Sequence, residues 1–252
     1  MELEVTPAFP TLIGRLQIPD ADAMNRDLQM LILAEEAQYS SLGRSNIGGW
    51  HSRPDFLVRC DPAVAALIVW LNWGLRRMIE ASAGSNTFQG ALSVFAWATL
   101  CRAGAYHAPH SHPDSAWSGV YYVDPGSPSP DQPLSGVLEF LDPRAGVDAL
   151  TAPGDPYGEP FRVRPQAGLL VLFPIVGFIT GSTPTRARHP VSPFRSTPRR
   201  QLGSKPSHRR CGRSLPAWLE ARVRLNTTRR LDAFPLQLAE EETRHVDYSR
   251  IP

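Results

Sequence analysis

Tyr106-His107-Ala108-Pro109-His110-Ser111-His112-Pro113-Asp114, followed at once by Ser118-Gly119-Val120-Tyr121-Tyr122-Val123-Asp124, is the most informative stretch of this chain. Three histidines and a carboxylate fall between His107 and Asp114, and a strongly β-forming Val/Tyr segment comes next. In an extended chain residues i and i+2 point to the same face. His110 and His112 can therefore aim their imidazoles at one point, and Asp114 could replace either as the partner of the other. Two such ligands close together plus a distant third make the three-ligand face on which non-haem Fe(II) keeps open positions. A histidine-rich surface loop is the plain alternative.

The surrounding sequence fits one globular unit. The chain has 252 residues, of which 42% are hydrophobic, enough for a full core in a single domain. No apolar stretch approaches the length of a membrane span, and the N-terminus has no signal-peptide core. Cys60, Cys101 and Cys211 are scattered without C-x-x-C spacing, which points to a reducing compartment, the cytoplasm, and to no structural zinc.

Met24, Leu28, Leu31 and Ile32 repeat at helical spacing, so residues near 22–36 form an amphipathic helix. A second helix starts at Asp61-Pro62, with Asp as N-cap and Pro in the first turn. Its apolar stripe runs through Val64, Leu67, Ile68, Leu71, Leu75, Met78 and Ile79, all core positions. From residue 91 the pattern turns to strands: 91–101, 118–123, 137–141, 161–163 and 169–173, with 124–133 as a loop. Helices first and short strands after predict an α+β fold, a jelly-roll buttressed by N-terminal helices.

Five stretches in order resemble the bacterial 2-oxoglutarate-Fe(II) oxygenases: Phe9-Pro10-Thr11, Ser45 to Ser52, the H-x-H-P segment with its Ser-Gly-Val-Tyr-Tyr strand, Gly136 to Arg144, and Pro165 to Pro174. The resemblance covers residues 1–174. It implies a double-stranded β-helix carrying iron, with 2-oxoglutarate and oxygen as cosubstrates and a C–H bond as the target. Such relatives also carry a third ligand on a late strand and a basic residue shortly after it that holds the far carboxylate of 2-oxoglutarate.

On that basis His110 and His112 are the expected iron ligands, with His112 and Asp114 as the competing pair; His107 belongs to their surroundings. Ser118 and Tyr122 share one strand face and share parity with the histidines, which makes Tyr122 a candidate to hydrogen-bond 2-oxoglutarate. Arg144, after Asp142-Pro143, either binds an anionic group or forms a surface ion pair. Asn46, Trp50 and His51 sit in a Gly-rich loop that either lines a substrate mouth or is a plain turn. The substrate itself, a small molecule or a protein side chain, leaves no mark on the sequence.

After Pro174 the resemblance stops. Residues 1–174 hold 11 Arg/Lys against 18 Asp/Glu, a net of −7; residues 175–252 hold 15 against 6, a net of +9. The relatives' W-x-x-H-x-V-x-P and Arg-Ile-Ser-Ile-x-Phe-Asn strands are missing. The break has the form of a shifted reading frame. Codons for Gly177 to Pro198 can be chosen (GGT TTC ATC ACT GGG TCC ACC CCT ACC CGG begins the series) that spell FHHWVHPYPGATPRISIPFNA when read two bases later. That string restores the distal histidine, the basic residue and the final strand. Residues 175–252 are therefore expected to be an atypical tail, frameshifted or disordered, leaving the barrel without its last strands and the iron without its third ligand. His189, His208 and His245 stand in settings unlike the relatives'. Turnover by this chain is expected to be weak.

Two other classes compete. A non-catalytic cupin-like protein would hold a metal or ligand on His110 and His112 without oxygen chemistry. A nucleic-acid binder would use Arg199, Arg200, Arg209, Arg210, Arg213, Arg222, Arg224, Arg229 and Arg230 against phosphates. Against nucleic acid, 25 arginines with one lysine amid Pro and Ser suit a GC-rich frame read out of phase better than a selected patch.

Overall fold

The computed structural model describes residues 2–84, 91–112, 115–127, 132–147, 158–174, 179–180 and 217–226. A short strand β1 (Gly14–Gln17) leads into α1 (Asp22–Gln38). Two-residue strands β2 (Asn46–Ile47) and β3 (Trp50–His51) and a 3-10 turn (Phe56–Val58) precede α2 (Pro62–Ala83). Then come β4 (Ala91–Leu100), β5 (Tyr106–His107), β6 (Trp117–Asp124), β7 (Leu138–Phe140), β8 (Phe161–Val163), β9 (Leu169–Pro174), β10 (Ile179–Thr180) and β11 (Ala217–Asn226).

The helices form where the sequence provides their ends. The Asp61 carboxylate accepts from the backbone N–H of Ala63 at 2.9 Å, satisfying a donor of the first turn that has no partner within the helix. Gly84 ends α2 in the left-handed conformation (φ 68°), which costs glycine nothing. On α1 the fully buried positions Leu28 and Ile32 lie on the expected stripe, with Asn25 and Glu35 extending it.

The strands make three sheets. The largest has the order β1-β9-β6-β11-β4-β3, with every pairing antiparallel. A three-stranded sheet β10-β7-β8 and the pair β2-β5 complete the fold. Helices cover one face of the large sheet: Leu28, Leu67, Leu71 and Leu75 pack with Trp117, Tyr121, Leu170, Leu172 and Leu219. The opposite face packs on the small sheet through Val120, Tyr122, Leu138, Phe140, Val163, Val171 and Phe173. This is the α+β double-stranded β-helix with N-terminal helices that the sequence predicts.

One expectation is corrected. The large sheet does receive a late strand: β11 lies between β6 and β4, with Ala221 opposite Gly119 on one side and Ala96 on the other. Its apolar odd positions (Ala217, Leu219, Ala221, Val223 and Leu225) alternate as a strand requires. Three of them, Ala217, Leu219 and Ala221, are buried under the helices. The sheet therefore keeps a strand drawn from the region expected to lack them. The rest of that tail, with His189, His208 and His245, lies outside the described residues.

One point where helix and sheet interlock is Leu172. A Cβ built on Gly74 of α2 would come within 2.8 Å of Leu172 Cδ1, and one on Gly119 of β6 within 2.7 Å of Leu172 Cδ2. The two glycines leave the space that the Leu172 methyl groups fill. A second tie is polar: the buried Tyr121 hydroxyl donates to Asn25 Oδ1 on α1, and burial raises the phenol's pKa. Gly119→Ala should therefore cost about 1–3 kcal/mol by overpacking. Adding Leu172→Ala should cost less than the sum of the two single changes, because each relieves the other. Urea denaturation of the three variants measures the coupling; strict additivity would show that Leu172 is not confined by Gly119.

Candidate metal centre

The interior face of β6 carries Ser118, Val120 and Tyr122, because alternate residues of the strand face opposite ways. The loop from β5 to β6 folds back over this face. Its start is fixed by β2, which pairs Asn46 with His107, and by the Ala108 N–H donating to Ser45 O at 3.0 Å.

His110 and His112 do not lie on a strand together, contrary to the expectation from extended geometry. Both belong to the connection between β5 and β6. Their rings nevertheless meet, with centroids 4.8 Å apart and planes tilted by 42°. His112 is buried (2% exposed) and its Nδ1 lies 2.7 Å from the hydroxyl of Ser118, itself fully buried. His110 Nδ1 lies 2.8 Å from the carbonyl oxygen of Ala108. A carbonyl only accepts, so the neutral ring of His110 holds its proton on Nδ1 and its lone pair on Nε2. Ser118 can accept from His112 Nδ1 in the same way, which presents that ring's Nε2 as well. Two imidazole nitrogens of this kind suit non-haem iron, zinc or nickel.

His107 sits in β5 and shares Ser45 with His110: the Ser45 hydroxyl is 3.4 Å from His107 Nδ1 and 3.4 Å from His110 Nε2. Asp114, the carboxylate candidate, lies outside the described residues. Among the described residues no three His, Cys, Asp or Glu side chains gather into a metal-binding group. The described donors thus fit two of the three protein positions of a ferrous centre.

The remaining candidates divide. Ser118 contacts His112, so its hydroxyl serves the imidazole. Tyr122 is buried on the same strand face, packed with Val120, Val171 and Phe173. Arg144 is exposed and forked onto Asp142: Nε–Oδ1 is 2.9 Å, the backbone N–H of Arg144 reaches Oδ1 at 3.1 Å, and Nη2 binds Oδ2. The hydrogen bonds from Arg144 hold the Asp142 carboxyl down at about 2. Asn46 builds its own turn, donating to Gly49 O at 2.9 Å. Trp50 faces the helices and donates to Tyr39 O at 2.9 Å, so it belongs to the core and not to a substrate mouth. His51, by contrast, is buried on the interior side and stacks on Trp97 at 5.4 Å between ring centroids.

Two interior residues escaped the sequence reading. Trp97 on β4 meets the ring of His112 edge-on at 6.2 Å. Arg222 on β11, opposite Ser118 of β6, places its guanidinium 4.9 Å from the Trp97 ring centroid. Arg222, one of the arginines of the basic tail, is half-buried and turned toward the interior. The strand alternation of 217–225 was the signal that would have placed it.

Residues 95–202 match the family model described as "Putative 2OG-Fe(II) oxygenase". Over that segment the chain is similar to the 2OG-Fe(II) oxygenases. The segment contains Trp97, the paired histidines, Ser118, Tyr122 and Arg144, and it runs past Pro174. No curated protein matches the chain. Among solved structures, the fold is similar to a prolyl-4-hydroxylase from Pseudomonas putida, at 16% identity over 84% of this chain and 91% of that one (TM-score 0.52). It is also similar to HygX from Streptomyces hygroscopicus, crystallised with nickel and 2-oxoglutarate, at 8% identity over 91% and 90% (TM-score 0.51). A third is SnoN, a non-heme alpha ketoglutarate dependent epimerase from nogalamycin biosynthesis, at 12% identity over 84% and 76% (TM-score 0.51). At these identities the likeness is one of fold.

Replacing Ser118 by Ala removes the partner of His112 Nδ1 and should weaken ferrous binding by roughly 10–100-fold. Anaerobic metal titration reads the change, and unchanged affinity would remove Ser118 from the site. Arg144→Gln should move the Asp142 titration from about 2 up toward its ordinary value of 3.8, as followed by carboxyl NMR. The pKa is depressed in the folded chain, so the stabilisation from this pair is present above 3.8 and is lost as pH falls toward about 2.

Proposed function

We propose that this chain is a 2-oxoglutarate-dependent non-haem iron dioxygenase that hydroxylates a C–H bond of a small molecule or a protein side chain. The observation that carries the proposal is the pairing of His110 and His112, 4.8 Å between ring centroids, inside a double-stranded β-helix. His110 and His112 supply two iron ligands; His112 with Asp114 is the competing pair. When bound, iron supplies oxygen activation coupled to decarboxylation of 2-oxoglutarate, chemistry that belongs to the metal and cosubstrate.

The chain's residues do the positioning. Ala108 O and Ser118 Oγ fix the two imidazoles. Phe173, which meets His112 at 6.4 Å between ring centroids, and Trp97 form apolar walls that exclude water. Arg222 and Arg144 are the basic candidates for the far carboxylate of 2-oxoglutarate, and Arg222 is the one placed on the interior face, over Trp97. A guanidinium matches a carboxylate by two parallel N–H···O bonds.

The test compares this chain with one whose residues after 176 are replaced by the restored-frame sequence, which exchanges β11 and Arg222 for the relatives' final strand and its basic residue, by iron content and by succinate formed from 2-oxoglutarate. The chain as it stands should bind iron weakly and turn over slowly; the restored chain should bind stoichiometric iron and release succinate. His110→Ala with His112→Ala in the restored chain should abolish metal binding. Metal binding that survives both substitutions overturns the ligand assignment. A restored chain that binds iron yet forms no succinate overturns the oxygenase reading in favour of a non-catalytic binder.

A further inference from the structure

Resting on the reading of His110 as a metal ligand, we infer that Ser45 is a positioning residue: its hydroxyl engages the Nε2 lone pair of His110 and passes to His107 when a metal takes that nitrogen. The backbone puts Ser45 between the two rings. Its carbonyl oxygen accepts from Ala108 N–H at 3.0 Å, and the next residue, Asn46, pairs with His107 between β2 and β5. The Asn46 side chain braces the turn, accepting from Arg44 N–H at 3.1 Å and donating to Gly49 O at 2.9 Å. The rings of His107 and His110 lie 6.1 Å apart between centroids. The Ser45 hydroxyl is 3.4 Å from His107 Nδ1 and 3.4 Å from His110 Nε2.

Donor and acceptor roles fix the sense of the second contact. His110 Nδ1 carries the proton of the neutral ring, because Ala108 O only accepts. Nε2 of that ring then only accepts, so the Ser45 hydroxyl donates to it. A neutral imidazole binds a metal through the same lone pair. His110 cannot serve both partners, and the hydroxyl must turn away for Nε2 to become a ligand. His107 Nδ1, at an equal distance, is the second partner that the hydroxyl meets. A serine hydrogen rotates to suit its surroundings, and both contacts are long for bonds to a hydroxyl, so the exchange is easy.

A competitor for a lone pair and a simple prop respond oppositely to truncation. Removing a prop loosens the ring and weakens metal binding, as for Ser118 beside His112. Removing a competitor tightens it. His107, by receiving the displaced hydroxyl, lowers the cost of metal binding only while residue 45 carries one.

The experiment titrates zinc alone into the full chain and into the restored-frame chain, both of which contain Ser45, His107 and His110. Calorimetry at about pH 8, above the ordinary imidazole pKa, reads the affinity, and NMR of 15N-labelled histidine follows the ring nitrogens. Ser45→Ala should tighten zinc binding roughly threefold to tenfold, the worth of one net hydrogen bond. It should also move the His110 Nε2 signal of the zinc-free chain downfield, since a donated hydrogen bond shifts a bare imidazole nitrogen upfield. Ser45→Thr, which keeps a hydroxyl, should leave both unchanged. His107→Phe should weaken zinc binding beside Ser45 and leave it unaltered beside Ser45→Ala. In the unsubstituted chain the His107 Nδ1 signal should shift on adding zinc, a readout that needs no variant to fold. Unchanged or weaker zinc binding by Ser45→Ala, with His110→Ala still weakening it, overturns the competing role and leaves His110 a ligand. Equal weakening by His107→Phe in both backgrounds overturns the transfer to His107. If His110→Ala leaves zinc binding as it was, or neither chain binds zinc, the ligand reading fails and the role of Ser45 fails with it.

Discussion

Strand β6 is buried on both faces along nearly its whole length, and the rest of the molecule is arranged around that constraint. Trp117, Gly119, Tyr121 and Val123 turn toward the helices, while Ser118, Val120 and Tyr122 turn toward the interior. A slip of one residue would exchange the two sets. It would put the Tyr121 hydroxyl among apolar side chains, away from Asn25, and would drive a side chain into the space that Gly119 leaves for Leu172. Buried polar groups without partners and overpacked cores are both costly, so this register is strongly specified. The same register places the Ser118 hydroxyl under His112. The setting of the His112 ring is therefore inherited from the packing of helices on the opposite side of the sheet.

Much of this was legible in the chain. Asp61-Pro62 marks a helix start because the chemistry of capping is local, and α2 begins there with the expected hydrogen bond. The Val/Tyr run after the histidines reads as a strand because β-branched and aromatic residues suit a pleated, buried surface. The loop before it was less legible. Alternation made His110 and His112 look like neighbours on one strand, whereas the backbone there is a connection whose shape is set by β2 and by Ser45, some sixty residues earlier in the chain. The rings meet for a tertiary reason that spacing alone does not encode.

Strand β11 was missed for a different cause. Its surroundings, rich in Arg, Pro and Ser, carry a compositional signal strong enough to mask a regular alternation from Ala217 to Leu225. Arginine in a strand usually marks a solvent face, and Arg222 breaks that rule by lying over an indole. Trp97 carries no local signal, because aromatic residues in a strand are most often core, and nothing nearby in the sequence distinguishes one that meets a histidine from one that meets a leucine. Such residues become visible only once the strand order β11-β4-β3 is known.

The charge balance of the interior ties these parts together. Two neutral imidazoles add no charge of their own, so a ferrous ion held by them alone would bring two positive charges into a wall of Trp97, Phe173 and Val171, with Arg222 nearby. Cations are costly to hold in apolar surroundings unless paired. A dicarboxylate cosubstrate would bring negative charge that offsets part of this cost. An anionic protein ligand would supply more, and Asp114 stands two residues beyond His112 in the sequence. On this argument a site of two histidines and no carboxylate would bind a metal weakly until an anionic cosubstrate joined it. Metal and 2-oxoglutarate affinities should then be strongly coupled, each tightening the other by the same factor, as linkage requires.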